Sequence, residues 1–190
     1  SIVAQQYMEQ YGDGIAGVIL SGTFGTLGDT TEAEAAIDRA IAADGLEAPS
    51  MVIADMFGAF NEPFEGDTGF EWLSRDEDEV QKYVDDPWCG TFPLSNEFVQ
   101  DFFNGMAETW KPENEAKIPR SLPVYVISGD QDPAGGFTQA VNVLIARYQE
   151  LGLEDLTFKF YPQARHEILN ETNRDEVHTD ILGWLNARVE

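Results

Sequence analysis

The amino-acid sequence predicts an α/β fold: a three-stranded parallel sheet with a helical insertion between its first and second strands. Short apolar runs rich in β-branched or aromatic residues occur at residues 15–20, 124–128 and 157–161. Runs that are apolar on both faces suit a parallel sheet covered on both sides. The last two runs alternate with helix-like patterns, and that order predicts a right-handed parallel crossover. Between residues 24 and 117 no strand-like run occurs.

The elements follow in chain order. Val3, Tyr7, Met8 and Tyr11 recur at helical spacing, and Gly12 and Gly14 end that helix. It has no N-cap, so the chain is expected to begin inside an element. The first strand, Ile-Ala-Gly-Val-Ile-Leu, ends at Ser21-Gly22-Thr23. Thr31-Glu32-Ala33-Glu34 reads as a capping box for a helix to about Asp44. Pro49 can start a helix running to Phe60. Ser74 caps another to Val84, and Ser95 or Asn96 a fourth to Trp110. After the second strand, Phe137, Ala140, Val141, Leu144, Ile145, Tyr148 and Leu151 form the stripe of a helix spanning residues 137–151. A last helix covers residues 174–188, with Val177, Ile181, Trp184 and Leu185 as its apolar face. Three strands make a thin sheet with an uncovered apolar edge, which stable proteins avoid. The chain is therefore expected to be part of a larger sheet.

Composition narrows the function classes. The 190 residues carry 35 acidic and 11 basic groups, a net charge of −24. Such a surface repels phosphate backbones, which argues against nucleic acid as a partner, and it disfavours anionic membranes. Acid-rich, lysine-poor surfaces are found in salt-adapted proteins, and a plain solubility bias gives the same pattern. No apolar run approaches the ~20 residues that span a bilayer. No secretion leader is visible, and the single cysteine, Cys89, fits a reducing, cytoplasmic setting. No metal-ligand spacing or phosphate-binding loop is present, so no metal and no cofactor is expected. The acidic run at residues 76–79 reads as a solvated helix start, with calcium binding the remote alternative.

Chemistry is expected at the strand ends. In open α/β sheets, ligands bind at the carboxyl edge. The second strand runs into Gly129-Asp130-Gln131-Asp132-Pro133, and the third leads through Pro162 to His166. A carboxylate and an imidazole there are two parts of a nucleophile–base–acid relay. Either Asp130 or Asp132 can be the acid; the other is a turn former. His178 falls in the last helix and is a surface residue. No Gly-x-Ser-x-Gly turn occurs, so no nucleophile is evident. Ser21 and Ser128 read as strand-end residues, and Ser1 as an ordinary helical residue. Eight of the twelve phenylalanines, three of the four tryptophans and three of the four methionines lie between Met51 and Trp110. Phe57, Phe60, Phe64, Phe98, Phe102, Phe103 and Met106 cluster there at helical spacings, enough for a small core and the wall of an apolar pocket.

This order of elements resembles the second half of an α/β-hydrolase, and most closely the monoacylglycerol lipase and lysophospholipase-like serine hydrolases. The resemblance runs the length of the chain. It is most specific at residues 122–133, at Tyr161-Pro162-Gln163-Ala164-Arg165-His166-Glu167 and at Asp86-Pro87-Trp88-Cys89-Gly90, where Trp88 departs from the usual leucine. Residues 1–7 resemble the helix that follows the family's nucleophile elbow. The resemblance implies an α/β-hydrolase core at residues 1–23 and 118–190 and a helical lid at residues 24–117. It implies His166 as general base and Asp132, three residues after the strand-ending glycine, as the catalytic acid. The nucleophilic serine and the oxyanion hole would lie upstream of Ser1. A carboxylic ester, monoacylglycerol-like or lysophospholipid-like, is the implied substrate. The alternatives are a non-catalytic fragment or subunit that needs an N-terminal partner chain, or another activity of the same fold: peptidase, epoxide hydrolase or haloalkane hydrolase.

Overall fold

The computed structural model describes residues 1–26, 30–90 and 93–188. Strands β1 (Val18–Ser21), β2 (Val124–Gly129) and β3 (Leu156–Tyr161) form one parallel sheet in the order β1-β2-β3. Val18 faces Val124, and Val124 faces Leu156, so the three strands start level; β2 and β3 also end level, Gly129 facing Tyr161, while β1 ends at Ser21 opposite Ile127. This is the α/β architecture with three parallel strands that the sequence predicts. The first strand is shorter than expected: residues 15–17 approach the sheet without joining its ladder.

Every residue of β2 is buried, as a central strand covered on both faces requires. Side chains alternate across it. Val124 and Val126 pack with Leu20 against α1 (Ile2–Tyr11) and α7 (Gln139–Glu150), through Met8, Val141, Leu144 and Tyr148. Tyr125 and Ile127 face the other way, onto Val177 and Trp184 of α8 (Arg174–Asn186). Burying each aliphatic side chain contributes about 1.5–3 kcal/mol, so the central strand anchors both layers.

Between β1 and β2 lie α2 (Thr31–Asp44), α3 (Met51–Asn61), α4 (Glu77–Asp85), α5 (Asn96–Thr109) and the short α6 (Pro112–Glu115). Ile37, Ile53, Val99, Phe103 and Met106 join α2, α3 and α5 in one core, which reaches Ile2 of α1. A second cluster joins Phe57, Phe60 and Phe64 to Trp72, Leu73 and Ala134, the last in the turn after β2. The expected aromatic cluster is thus divided between two cores, and Phe98 is exposed. Phe92 and residues 27–29 lie outside the described residues.

Several helix starts differ from the expectation. Thr30, not Thr31, occupies the N-cap of α2, and its hydroxyl donates to the Glu34 carboxylate at 2.6 Å. Asp76 caps α4 by accepting from Glu79 N, while Ser74 Oγ accepts from Asp76 N and donates to Asn170 O. For α5 the expectation holds: of the two expected residues Ser95 is the cap, accepting from Phe98 N at 3.2 Å. Helix α7 begins at Gln139 because Gly136, Phe137 and Thr138 all have left-handed backbones, with φ of 60°, 51° and 77°. Phe137 therefore leaves the helical stripe and is exposed.

Candidate active site

The level ends of β2 and β3 bring the predicted residues together. Asp132 lies in the turn after β2, wholly buried, and His166 in the loop after β3, with a quarter of its side chain exposed. His166 Nδ1 is 2.9 Å from Asp132 Oδ2. The other carboxylate oxygen accepts from Ala134 N at 2.9 Å. A buried carboxylate against Nδ1 selects the tautomer that carries its proton there, which leaves the Nε2 lone pair free to accept.

Asp130 stands elsewhere. Its Oδ1 accepts from Gln163 N at 2.7 Å and from Gln131 Nε2 at 3.1 Å. The structure thus separates the two aspartates that the sequence left open: Asp132 bonds the imidazole and Asp130 bonds the two turns. Gln131 N donates to Ala164 O at 2.9 Å, a second tie between them.

Two residues that the sequence did not single out complete the surroundings. The Trp72 ring centroid is 5.0 Å from that of His166, and Trp72 O accepts from His166 N at 3.3 Å. Gly22, with φ of 54°, ends β1 so close to the imidazole that a Cβ there would lie 3.0 Å from His166 Cε1. A glycine directly after a buried strand was the available signal for Gly22; Trp72 had none, because its neighbour is 94 residues away in sequence.

The remaining serines are placed as follows. Ser1 Oγ donates to Gly22 O at 3.4 Å, so the start of α1 reaches the same strand end. Ser21 lines a cavity of about 260 Å³ together with His166, Glu167 and Asn170. Ser128 is fully buried within β2, its hydroxyl against Gly129 O. His178 lies in α8, away from these groups.

A larger cavity, of about 700 Å³, opens among α3, Trp72 and the loops around Trp88 and Leu94. Phe57, Phe70, Trp72 and Tyr83 form much of its wall, and no charged side chain among the described residues lines it. Trp88 stands at this cavity, highly exposed. Among the described residues there is no cluster of three or more His, Cys, Asp or Glu that could hold a metal. In the acidic run, Asp76 pairs with Arg174 and Glu79 with Lys82. No helix among them is long and apolar enough to cross a membrane.

Comparison with known proteins agrees with this architecture. A carboxyl esterase from Bacillus coagulans superimposes with a TM-score of 0.87 at 28% identity, covering 100% of this chain and 62% of the esterase. A monoacylglycerol lipase from Paleococcus ferrophilus (TM-score 0.65, 21% identity) covers 98% of this chain and 65% of its own. A monoglyceride lipase from Saccharomyces cerevisiae (TM-score 0.62, 22% identity) covers 100% and 59%. These last two share the fold. The chain spans about three-fifths of the length of the structures it matches. The family model described as serine aminopeptidase S33 matches residues 1–173, and the chain belongs to that family of α/β-hydrolases.

Proposed function

We propose that this chain is the C-terminal part of a serine hydrolase that cleaves carboxylic esters of monoacylglycerol or lysophospholipid type. The observation that carries the reading is the hydrogen bond between His166 Nδ1 and the buried Asp132 carboxylate at adjacent strand ends. In this reading a serine N-terminal to Ser1 supplies the nucleophile. His166 Nε2 takes the serine proton as the hydroxyl attacks the ester carbonyl. It then returns that proton to the leaving alcohol, and a water repeats the cycle on the acyl-enzyme. Asp132 holds the ring and balances the imidazolium charge. General base catalysis of this kind contributes about 10²–10⁴-fold.

Residues 24–117 act as a lid in this account, and the 700 Å³ cavity receives the acyl group. Trp72 supports the link, since it both lines that cavity and touches His166. The family description names a peptidase. An aminopeptidase must receive a charged amino terminus, and the described wall of this cavity offers it no carboxylate. That favours the ester.

A serine-reactive fluorophosphonate probe tests the proposal. This chain alone should remain unlabelled, and the complete protein should label at a serine upstream of Ser1. Labelling within these 190 residues would overturn the assignment of the nucleophile. A complete protein that never labels would leave the chain a non-catalytic module.

A further inference from the structure

The loop that carries His166 is not free-standing. It is stitched to residues 71–76 of the helical segment, residue by residue. Arg165 Nη1 donates to Glu71 O at 2.6 Å and to Ser74 O at 3.0 Å. His166 N donates to Trp72 O, and Glu167 N to Leu73 O at 2.7 Å. Four consecutive carbonyls of the segment are thus taken up by three consecutive residues of the loop. Ser74 Oγ adds a bond to Asn170 O, and Arg174 pairs with Asp76.

Glu171 sits at the centre of this seam with no exposed surface. Its Oε1 accepts from Arg165 N at 2.7 Å and from Arg75 N at 3.2 Å. Its Oε2 accepts from Arg75 Nε at 2.8 Å and from Thr172 N at 3.0 Å. One buried carboxylate therefore holds the amide directly before His166 and both backbone and side chain of the opposing segment. A carboxylate can accept about four such bonds, and Glu171 uses that capacity in full. Arg165 lies over the Phe64 ring, 4.2 Å from its centroid, and burial pulls its guanidinium below the usual arginine range. Two guanidinium groups, those of Arg75 and Arg165, converge here, and Glu171 is the buried charge that balances them.

We propose that Glu171 is a positioning residue for His166: it locks the imidazole loop to residues 71–76, so that the placement of the helical segment sets the placement of the base. This rests on the reading of His166 as the base, and it adds a residue that touches neither substrate nor nucleophile. Through Arg165 N, Glu171 fixes the residue that directly precedes His166 in the chain. Small displacements of a catalytic group are costly, with about 10²-fold lost for a shift of 1 Å.

The test uses the complete protein with histidine labelled by ¹³C and ¹⁵N, the His166 ring signals being those that vanish in H166A. Glu171→Gln keeps the shape and removes the charge. It should shift or broaden the His166 ring signals and lower kcat by about 10–100-fold with KM changed less than about twofold. Glu171→Asp, which restores the charge on a shorter arm, should recover part of both. Should E171Q fail to fold, Arg75→Gln weakens the same seam from the other side and should move the same signals by less. A lowered Tm with unchanged His166 signals and unchanged kcat would overturn the proposal. If the complete protein shows no hydrolysis at all but E171Q still moves the His166 signals, the positioning role stands and the reaction assigned above fails.

Discussion

Gly129 and Ala164 touch backbone to backbone: a Cβ on Gly129 would collide with the Ala164 carbonyl group. This contact lies between the end of β2, which leads to Asp132, and the turn after β3, which leads to His166. The two turns approach closely only because no side chain separates them. Gln131 N then reaches Ala164 O, and Asp130 Oδ1 reaches Gln163 N. The pairing of acid and imidazole is therefore built on a glycine three residues before the aspartate.

Gly129→Ala should push the two turns apart. The obstacle is backbone, which cannot rotate away, so the cost should be at least the 1–3 kcal/mol or so typical of overpacking. Thermal unfolding would show the destabilisation. The His166 ring resonance should also lose its carboxylate-bonded signature. An alanine variant as stable as the parent would show that the contact is easily relaxed.

Glu9 gives a pH-dependent stability. Burial raises its carboxyl to about 7, the neighbouring Glu115 carboxylate adds to the rise, and Lys117 opposes it. A folded-state value above the ordinary one near 4.5 means that this stability is present at acid pH and lost as pH rises through about 7. The parent chain should therefore lose Tm between pH 5 and pH 8. Glu9→Gln should lose less over the same interval. Identical slopes in the two proteins would show that Glu9 ionises freely in the folded state.

Thr138 is a β-branched residue at φ 77°, a left-handed conformation that costs about 1–2 kcal/mol for side chains other than glycine. Thr138→Gly relieves it, offset by the extra backbone entropy of glycine, roughly 0.5–1 kcal/mol. A net gain in stability of up to about 1 kcal/mol is expected in denaturant titration. A loss of stability would mean that the threonine side chain makes a compensating contact.

Much of the fold was legible because its signals are local or periodic. The apolar runs at β2 and β3 declared two strands of one sheet, although only β2 is buried along its length and Thr157 and Phe158 of β3 are exposed, and the Ala140–Val141–Leu144–Ile145–Tyr148 stripe declared α7. The start of α7 was misread at Phe137 because nothing in a phenylalanine announces a left-handed backbone; the turn from Pro133 imposes it, with Gly136 N bonded to Pro133 O and Phe137 N to Asp132 O. Ser74 resembled a cap for α4, but its hydroxyl is drawn to Asn170 O by a long-range contact that sequence spacing does not show. The site divided in the same way. Asp132 and His166 sit at strand ends, where topology alone concentrates polar groups. Trp72 meets His166, and Glu171 meets Arg75, across more than 90 positions, and their residue types carry no mark of those contacts.

The most direct measurement is hydrolysis of a nitrophenyl ester by the complete protein and by its His166→Ala variant, with folding verified by thermal unfolding. The account predicts that kcat/KM falls by about 10³-fold or more when the imidazole that Asp132 holds is removed. A folded variant that keeps the activity of the parent would contradict it, because His166 could then not be the base.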